Sequence, residues 1–176
     1  MGKLTVGSNP TVSAMSDPAM PGSVMPGAPL LDIAMTRALE LAVEAGEHGE
    51  VPVGAVALHD GAIIAERRNE RQTTGDPTAH AEVLALRDAA AALGRWRLDD
   101  VTMVVTLEPC PMCAGALWSA RIGAVAFGAF DMKAGSLTSL YGLGADPRLN
   151  WEFPTLGGVR QGECAALLST FFASLR

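Results

Sequence analysis

The sequence predicts an α/β protein of three layers (α/β/α), in which a mixed central sheet of about five strands lies between helices. Segments with the period of helices alternate with short runs of β-branched and small apolar residues after an initial hairpin. Short connections between strands and helices favour helices on both faces of the sheet. Hydrophobic residues make up 49% of the 176 residues, enough for the core of one such domain.

Apolar residues at helical spacing predict a first helix from about Leu30 to Gly46, with Asp32 as its N-cap. The continuous apolar run over residues 51–58 predicts a buried strand, and residues 62–65 return as its hairpin partner. The elements that follow are a polar loop over 67–78, a helix over 79–93, a strand over 101–106, a helix that opens at Cys110, a strand over 123–127, a glycine-rich loop over 131–148, a weak strand over 157–160 and a last helix that carries Cys164 on its apolar face.

Composition divides the chain into two parts. Residues 1–29 are rich in Gly, Ser, Pro and Met without a period, which predicts a disordered N-terminal extension before one domain over residues 30–176. No apolar run reaches the length of a membrane span, so no membrane partner is expected. Three cysteines with one close pair argue against a disulfide framework and predict a reducing, cytoplasmic location.

One histidine, one glutamate and two cysteines form the most informative pattern. His80 and Glu82 are separated by one residue, and Cys110 and Cys113 by two. Cysteines at this spacing share one face of a helical turn, and a helix N-terminus favours their thiolates. Together with His80 they make a three-ligand site for Zn2+ that keeps one position for water, as catalytic zinc sites do. The pattern therefore predicts hydrolysis by zinc-activated water.

Glu82 is not needed as a ligand, so its predicted role is to carry protons between water and substrate. A structural zinc would need a fourth protein ligand, and Cys164, His48 and His59 do not lie at a recognisable ligand spacing. A non-catalytic zinc scaffold would have no use for Glu82. The combination favours a catalytic site.

These motifs resemble a known family. His80-Ala81-Glu82 and Pro109-Cys110-Pro111-Met112-Cys113 match the signature of the cytidine/deoxycytidylate deaminase superfamily. Within it, the bacterial tRNA-specific adenosine deaminases are similar to this chain over residues 51–56, 76–82, 106–116, 119–123, 127–129 and 163–168. The resemblance extends from about residue 31 to the C-terminus.

The resemblance implies a cytidine-deaminase-like fold and the hydrolytic deamination of adenosine to inosine at the wobble position (position 34) of tRNA, chiefly an arginine tRNA. It implies one Zn2+ per subunit, held by His80, Cys110 and Cys113, with Glu82 as the catalytic proton carrier. The implied partners are a tRNA anticodon stem-loop and a second copy of the chain, since the family forms homodimers in which both subunits contact the substrate.

The resemblance also implies a set of substrate-binding residues. By this resemblance, Asn69 would hydrogen-bond the flipped-out base, and Val51 would line the base pocket. Asp131 and Asn150 would contact the RNA near that base. Ala81, between the ligand and the proton carrier, completes the set.

The chain departs from the family pattern at positions that are expected to contact RNA. Phe130 replaces a basic residue, Asp146 replaces a histidine before a loop proline, and the C-terminus is only weakly basic. These changes leave the chemistry unaltered. Other cations are available for phosphate contacts, namely Arg67, Arg68, Arg71, Lys133 and Arg148.

A different substrate class is the main alternative. Deaminases of free nucleobases or nucleosides, of the guanine or cytosine type, share the zinc motif, and a net charge of −6 suits a small substrate better than RNA. The segments Thr106-Leu107-Glu108 and 51–56 favour the tRNA branch.

Overall fold

The computed structural model describes residues 25–175. Within this range the chain forms five α-helices, five strands and one short 3-10 helix. In chain order they are α1 (Ala28–Glu47), β1 (Gly54–His59), β2 (Ala62–Arg68), α2 (Arg71–Thr74), α3 (Ala81–Leu93), β3 (Thr102–Leu107), α4 (Pro111–Ser119), β4 (Ala124–Ala129), the 3-10 helix (Leu143–Ala145), β5 (Thr155–Leu156) and α5 (Gln161–Ser174).

The five strands form one mixed sheet in the order β2-β1-β3-β4-β5. β1 pairs antiparallel with both β2 and β3, whereas β3–β4 and β4–β5 are parallel pairs. Because β3 and β4 are parallel, their C-terminal ends lie at the same edge of the sheet. The segments that follow these two strands therefore start side by side.

Helices cover both faces of the sheet, which confirms the predicted three-layer architecture. On one face, Met35 of α1 and Cys164 of α5 pack against Val104 of β3. On the other face, Leu86 of α3 and Leu117 of α4 belong to the larger core cluster. Alternate residues of the strands supply the two cores, as the period of two requires.

The contact between α1 and β1 is unusually close. A Cβ atom added at Gly54 would lie 2.0 Å from the carbonyl oxygen of Ala38. Any side chain at position 54 would therefore push the helix away from the sheet. This contact fixes the start of β1, and with it the loop at residues 50–53 that approaches the site.

Several element boundaries differ from the sequence prediction. α1 begins at Ala28 with Gly27 as its N-cap, so Asp32 does not cap the helix. Its start is set by Pro29, which suits the first turn of a helix. The predicted weak strand at 157–160 is instead a two-residue strand at 155–156, and the polar loop at 67–78 contains the end of β2 and the short helix α2.

The predicted extension over residues 1–29 falls mainly outside the described residues, and it stays a prediction. None of the helices in residues 25–175 is long and apolar enough to cross a membrane.

Candidate active site

The three predicted metal ligands meet at the C-terminal end of β3. His80 is the N-cap of α3, and Cys110 is the N-cap of α4, so both precede the helices in which the sequence placed them. Cys113 lies in the first turn of α4. The Nδ1 atom of His80 is 3.7 Å from the Cys110 sulfur and 3.4 Å from the Cys113 sulfur, and the two sulfurs are 3.6 Å apart.

This triangle fits a tetrahedral zinc ion. Zinc bonds of about 2.3 Å to sulfur and about 2.1 Å to nitrogen place neighbouring ligand atoms of a tetrahedron about 3.6–3.8 Å apart. All three distances are at or near this range, and the three ligand atoms all lie within 4.8 Å of one another. One nitrogen and two sulfurs are also a donor set that zinc prefers. The residues therefore fit the ion and leave one coordination position for water.

The protonation of the cysteines matches a site built for a cation. Cys110 shares a hydrogen bond with Cys113 that lowers the pKa of Cys110 to about 4, and a hydrogen bond with His80 acts in the same direction. The same contact between the sulfurs, together with burial, raises the pKa of Cys113. The lowered pKa of Cys110 favours the thiolate, which is the form of cysteine that would hold zinc at this helix start.

Glu82 is buried directly beside the ligands, with 4% of its surface exposed. It lies in the first turn of α3, two residues after His80. Burial raises the pKa of Glu82, because a carboxylate is poorly stabilised away from water. A buried carboxyl group with a raised pKa holds a proton more readily than an exposed one, which suits a group that carries protons in general acid–base catalysis.

A cleft of about 190 Å³ opens above these residues. Pockets for drug-sized ligands are typically about 300–1,000 Å³, so this cleft suits a single heterocycle. Its walls come from the ends of β2, β3 and β4 and from the segment before β1. The lining residues are Val51, Val53, Asn69, Arg71, His80, Glu82, Leu107, Glu108, Cys110, Asp131 and Ala134.

The structure brings three of the five predicted substrate-binding residues into this cleft, namely Val51, Asn69 and Asp131. Ala81 does not line it, because its side chain is completely buried in the larger core. Asn150 is also remote. Its amide oxygen accepts a hydrogen bond from Arg121, and the neighbouring Trp151 donates to the carbonyl of Ile122, just before β4 begins.

Asn150 and Asp131 therefore lie at opposite ends of β4. The six residues of β4 alone span about 16 Å at a rise of about 3.3 Å per residue. One copy of the chain does not bring Asn150 to its own cleft.

Glu108 holds one wall of the cleft, a role that the sequence motif around it does not reveal. Its carboxylate is 2% exposed and accepts backbone N–H groups from Asp131 (3.1 Å), Leu137 (3.2 Å), Thr138 (2.7 Å) and Ser139 (2.9 Å), and the Ser139 hydroxyl as well. Burial alone would raise the pKa of Glu108, but these hydrogen bonds outweigh it and hold the pKa below its usual range. One buried carboxylate thus fixes the loop that carries Asp131.

The cations near the cleft differ in how they are paired. Arg67 bonds to Asp88, Arg68 lies near Glu44 and Glu70, and Arg148 bonds to Asp146. The side chains of Arg71 and Lys133 make no hydrogen bond or ion pair with any residue between 25 and 175. Arg71 lines the cleft, and Lys133 is two residues from Asp131 on the opposite wall.

Comparisons with known proteins agree with this geometry. Residues 31–129 match the family described as the cytidine and deoxycytidylate deaminase zinc-binding region. The tRNA-specific adenosine deaminase of Bacillus subtilis is 46% identical over 145 residues, which cover 82% of this chain and 90% of the relative.

Two solved structures are also similar. One comes from a study of A-to-I editing by tRNA:A34 deaminases at the wobble position of transfer RNA. It is 40% identical with a TM-score of 0.74, and the match covers 77% of this chain and 98% of that one. The other is guanine deaminase from Bacillus subtilis, 47% identical with a TM-score of 0.54, and covers 60% of this chain and 66% of that one.

Replacing Glu108 tests the role of the buried carboxylate. In Glu108→Gln an NH2 group replaces one of the two carboxylate oxygens. The backbone N–H groups that donated to that oxygen would then be buried without an acceptor. We expect the free energy of unfolding to fall by about 1–3 kcal/mol. Amide hydrogen exchange should rise selectively at residues 131–139. Glu152→Gln, on an exposed residue, is the matched control, and unchanged exchange in Glu108→Gln would contradict the assigned role.

Proposed function

Because the chain belongs to the cytidine and deoxycytidylate deaminases, and among them to the tRNA-specific adenosine deaminases, we propose that it converts adenosine to inosine at the wobble position of tRNA. The reaction consumes one water and releases one ammonia for each adenosine. The observation that carries this function is the triangle of His80, Cys110 and Cys113, which is spaced for zinc and lies beside buried Glu82 at the floor of a cleft sized for one base.

Bound zinc supplies Lewis acidity that lowers the pKa of a water molecule to about 7. Glu82 accepts a proton from the attacking water and delivers it to N1 of the adenine, as the corresponding glutamate does in zinc deaminases. It then takes the proton of the new hydroxyl group at C6 and passes it to the amino group, which leaves as ammonia while C6 becomes the carbonyl of inosine. Its burial keeps the proton on this path, because the carboxyl group has little access to solvent.

The cleft walls orient the base. In this proposal Val51 packs against the flipped-out adenine, and Asn69 hydrogen-bonds to it. Asp131 holds the opposite wall, where its side chain accepts the backbone N–H groups of Lys133 (2.9 Å) and Ala134 (3.2 Å). Ala81 would contact the base only through its main chain, since its side chain belongs to the core.

We further propose a homodimer in which Asn150 serves the cleft of the partner subunit. The remote position of Asn150 supports this arrangement. So does the run of exposed apolar side chains after β4, where Met132, Leu140 and Tyr141 are 73%, 48% and 59% exposed. A mass of one chain in sedimentation equilibrium would contradict it.

The proposed location is the cytoplasm, where tRNA is available. All three cysteines are free, and two of them belong to the zinc site, which fits a reducing compartment. Recovery of the protein mainly outside the cytoplasmic fraction of cells would contradict this location.

An anticodon stem-loop with adenosine at the wobble position tests the substrate directly. We expect inosine at that position by mass spectrometry, with the fastest turnover on a stem-loop from an arginine tRNA. Free guanine and cytosine are assayed alongside, because the similarity to guanine deaminase keeps that activity as the alternative. Turnover of a free base without inosine in the stem-loop would favour the alternative.

Replacing Glu82 separates proton transfer from metal binding. Glu82→Ala removes the carboxyl group but none of the three ligands, so we expect the zinc content to remain at one ion per chain. Turnover should fall by roughly 10²–10⁴-fold, the usual contribution of a general acid–base. Metal analysis together with single-turnover deamination checks both parts. Near-normal turnover would refute the role of Glu82.

Arg71, which lines the cleft, should bind a phosphate of the RNA. For Arg71→Ala we expect a higher KM for the stem-loop with little change in kcat. The dependence of log KM on log salt concentration should become shallower by about 0.7, the value for one phosphate contact on a single strand. Arg87→Ala removes an exposed arginine of α3 outside the cleft and is the matched control. An unaltered salt dependence in Arg71→Ala would contradict the contact.

A further inference from the structure

Glu50 is a buried acid that the mechanism does not use. Its side chain is 1% exposed, and it directly precedes Val51 at the cleft wall. The other buried carboxyl groups in residues 25–175 have roles already, since Glu82 carries protons and Glu108 holds the loop after β4. Burying a carboxyl group is costly unless its oxygens are satisfied, so the contacts of Glu50 indicate its role.

The two oxygens of Glu50 hold both ends of the turn between Asn69 and Thr73. Oε1 accepts the backbone N–H of Thr73 at 2.7 Å, and Oε2 accepts the side-chain amide of Asn69, with Nδ2 at 3.4 Å. The main chain of Asn69 is fixed separately, because its N–H donates to the carbonyl of Val53 at 2.9 Å. The contact with Glu50 is thus the one that acts on the side-chain amide.

A carboxylate differs from an amide in the direction of its hydrogen bonds, which is called its polarity below. Both oxygens only accept hydrogen bonds, so Glu50 selects the NH2 end of the Asn69 amide. The amide oxygen of Asn69 has no hydrogen-bond donor among the described residues, and Asn69 lines the cleft. We propose that Glu50 is a positioning residue that sets the orientation of Asn69, so that the base meets a hydrogen-bond acceptor at this wall.

An acceptor at this position recognises an N–H donor on the base. Adenine carries one such group on its edge, the amino group that leaves in the reaction. This inference rests on the proposed function, because it assigns Glu50 to the binding of that substrate. Glu50 would act through Asn69 and would not touch the base.

Glu50→Gln reverses the polarity with little change of shape. The glutamine oxygen stays with the Thr73 N–H, the shorter contact, and its NH2 group then faces Asn69. The amide of Asn69 must turn to offer its oxygen to Gln, which places its own NH2 group in the cleft. We expect kcat/KM for the stem-loop to fall about 10- to 100-fold, while zinc content and melting temperature stay close to those of the wild type.

The double variant Glu50→Gln with Asn69→Asp restores the polarity. Gln donates to one aspartate oxygen, and the other oxygen faces the base as an acceptor. We expect it to recover at least tenfold in kcat/KM over Glu50→Gln alone. Glu47→Gln, which removes the same charge from the exposed end of α1, is the matched control and should behave as the wild type.

The outcomes separate the two proposals. A wild-type protein that makes no inosine overturns the proposed function, and the role of Glu50 with it. If the wild type makes inosine and Glu50→Gln has the same kcat/KM, the inference alone is overturned. It is also overturned if the double variant folds but has a kcat/KM no higher than that of Glu50→Gln. If Glu50→Gln does not fold, the double variant is compared with the wild type, and activity more than 100-fold lower overturns the inference.

Discussion

The meeting of two helix N-termini at one end of β3 is the constraint on which the site depends. His80 and Cys110 are thirty residues apart, yet their ligand atoms lie 3.7 Å from each other. Both residues are N-caps with extended backbones, so the exact start of each helix sets the position of a ligand. A shift of either helix by one residue moves it about 1.5 Å along its axis, enough to break a triangle that one zinc ion can span.

Two buried acids hold the walls of the cleft. Glu108 accepts several backbone N–H groups of the segment after β4, and Glu50 accepts one backbone N–H and one side-chain amide of the turn after β2. Irregular loops cannot satisfy their own backbone donors in the way that helices and strands do, and each carboxylate supplies the missing acceptors. The walls of the cleft are therefore held by charge-assisted hydrogen bonds, while apolar packing holds the sheet beneath them.

Sequence reasoning predicted the parts that depend on residue type at short spacing. The zinc ligands and Glu82 follow from such spacing, and the sheet follows from alternating patterns. The start of α1 differs from the prediction because proline is common both in irregular segments and in the first turn of a helix, so Pro29 does not decide between them. β5 differs because two residues are too few to show a period. The roles of Glu50 and Glu108 depend on partners 19 to 31 residues away, which no local pattern reveals. Which arginines are free likewise depends on tertiary pairing.

The pairing of arginines with acids affects how this protein meets a polyanion. Beyond the Debye length, about 8 Å at physiological salt, each ion pair has nearly no field. What remains is the net charge of −6, which repels a polyanion and is screened over the same distance, so the overall charge of the protein does not speed the approach of RNA. Competing RNAs are distinguished after collision, by how long each one remains bound. Selectivity is thus expressed in residence times more than in association rates.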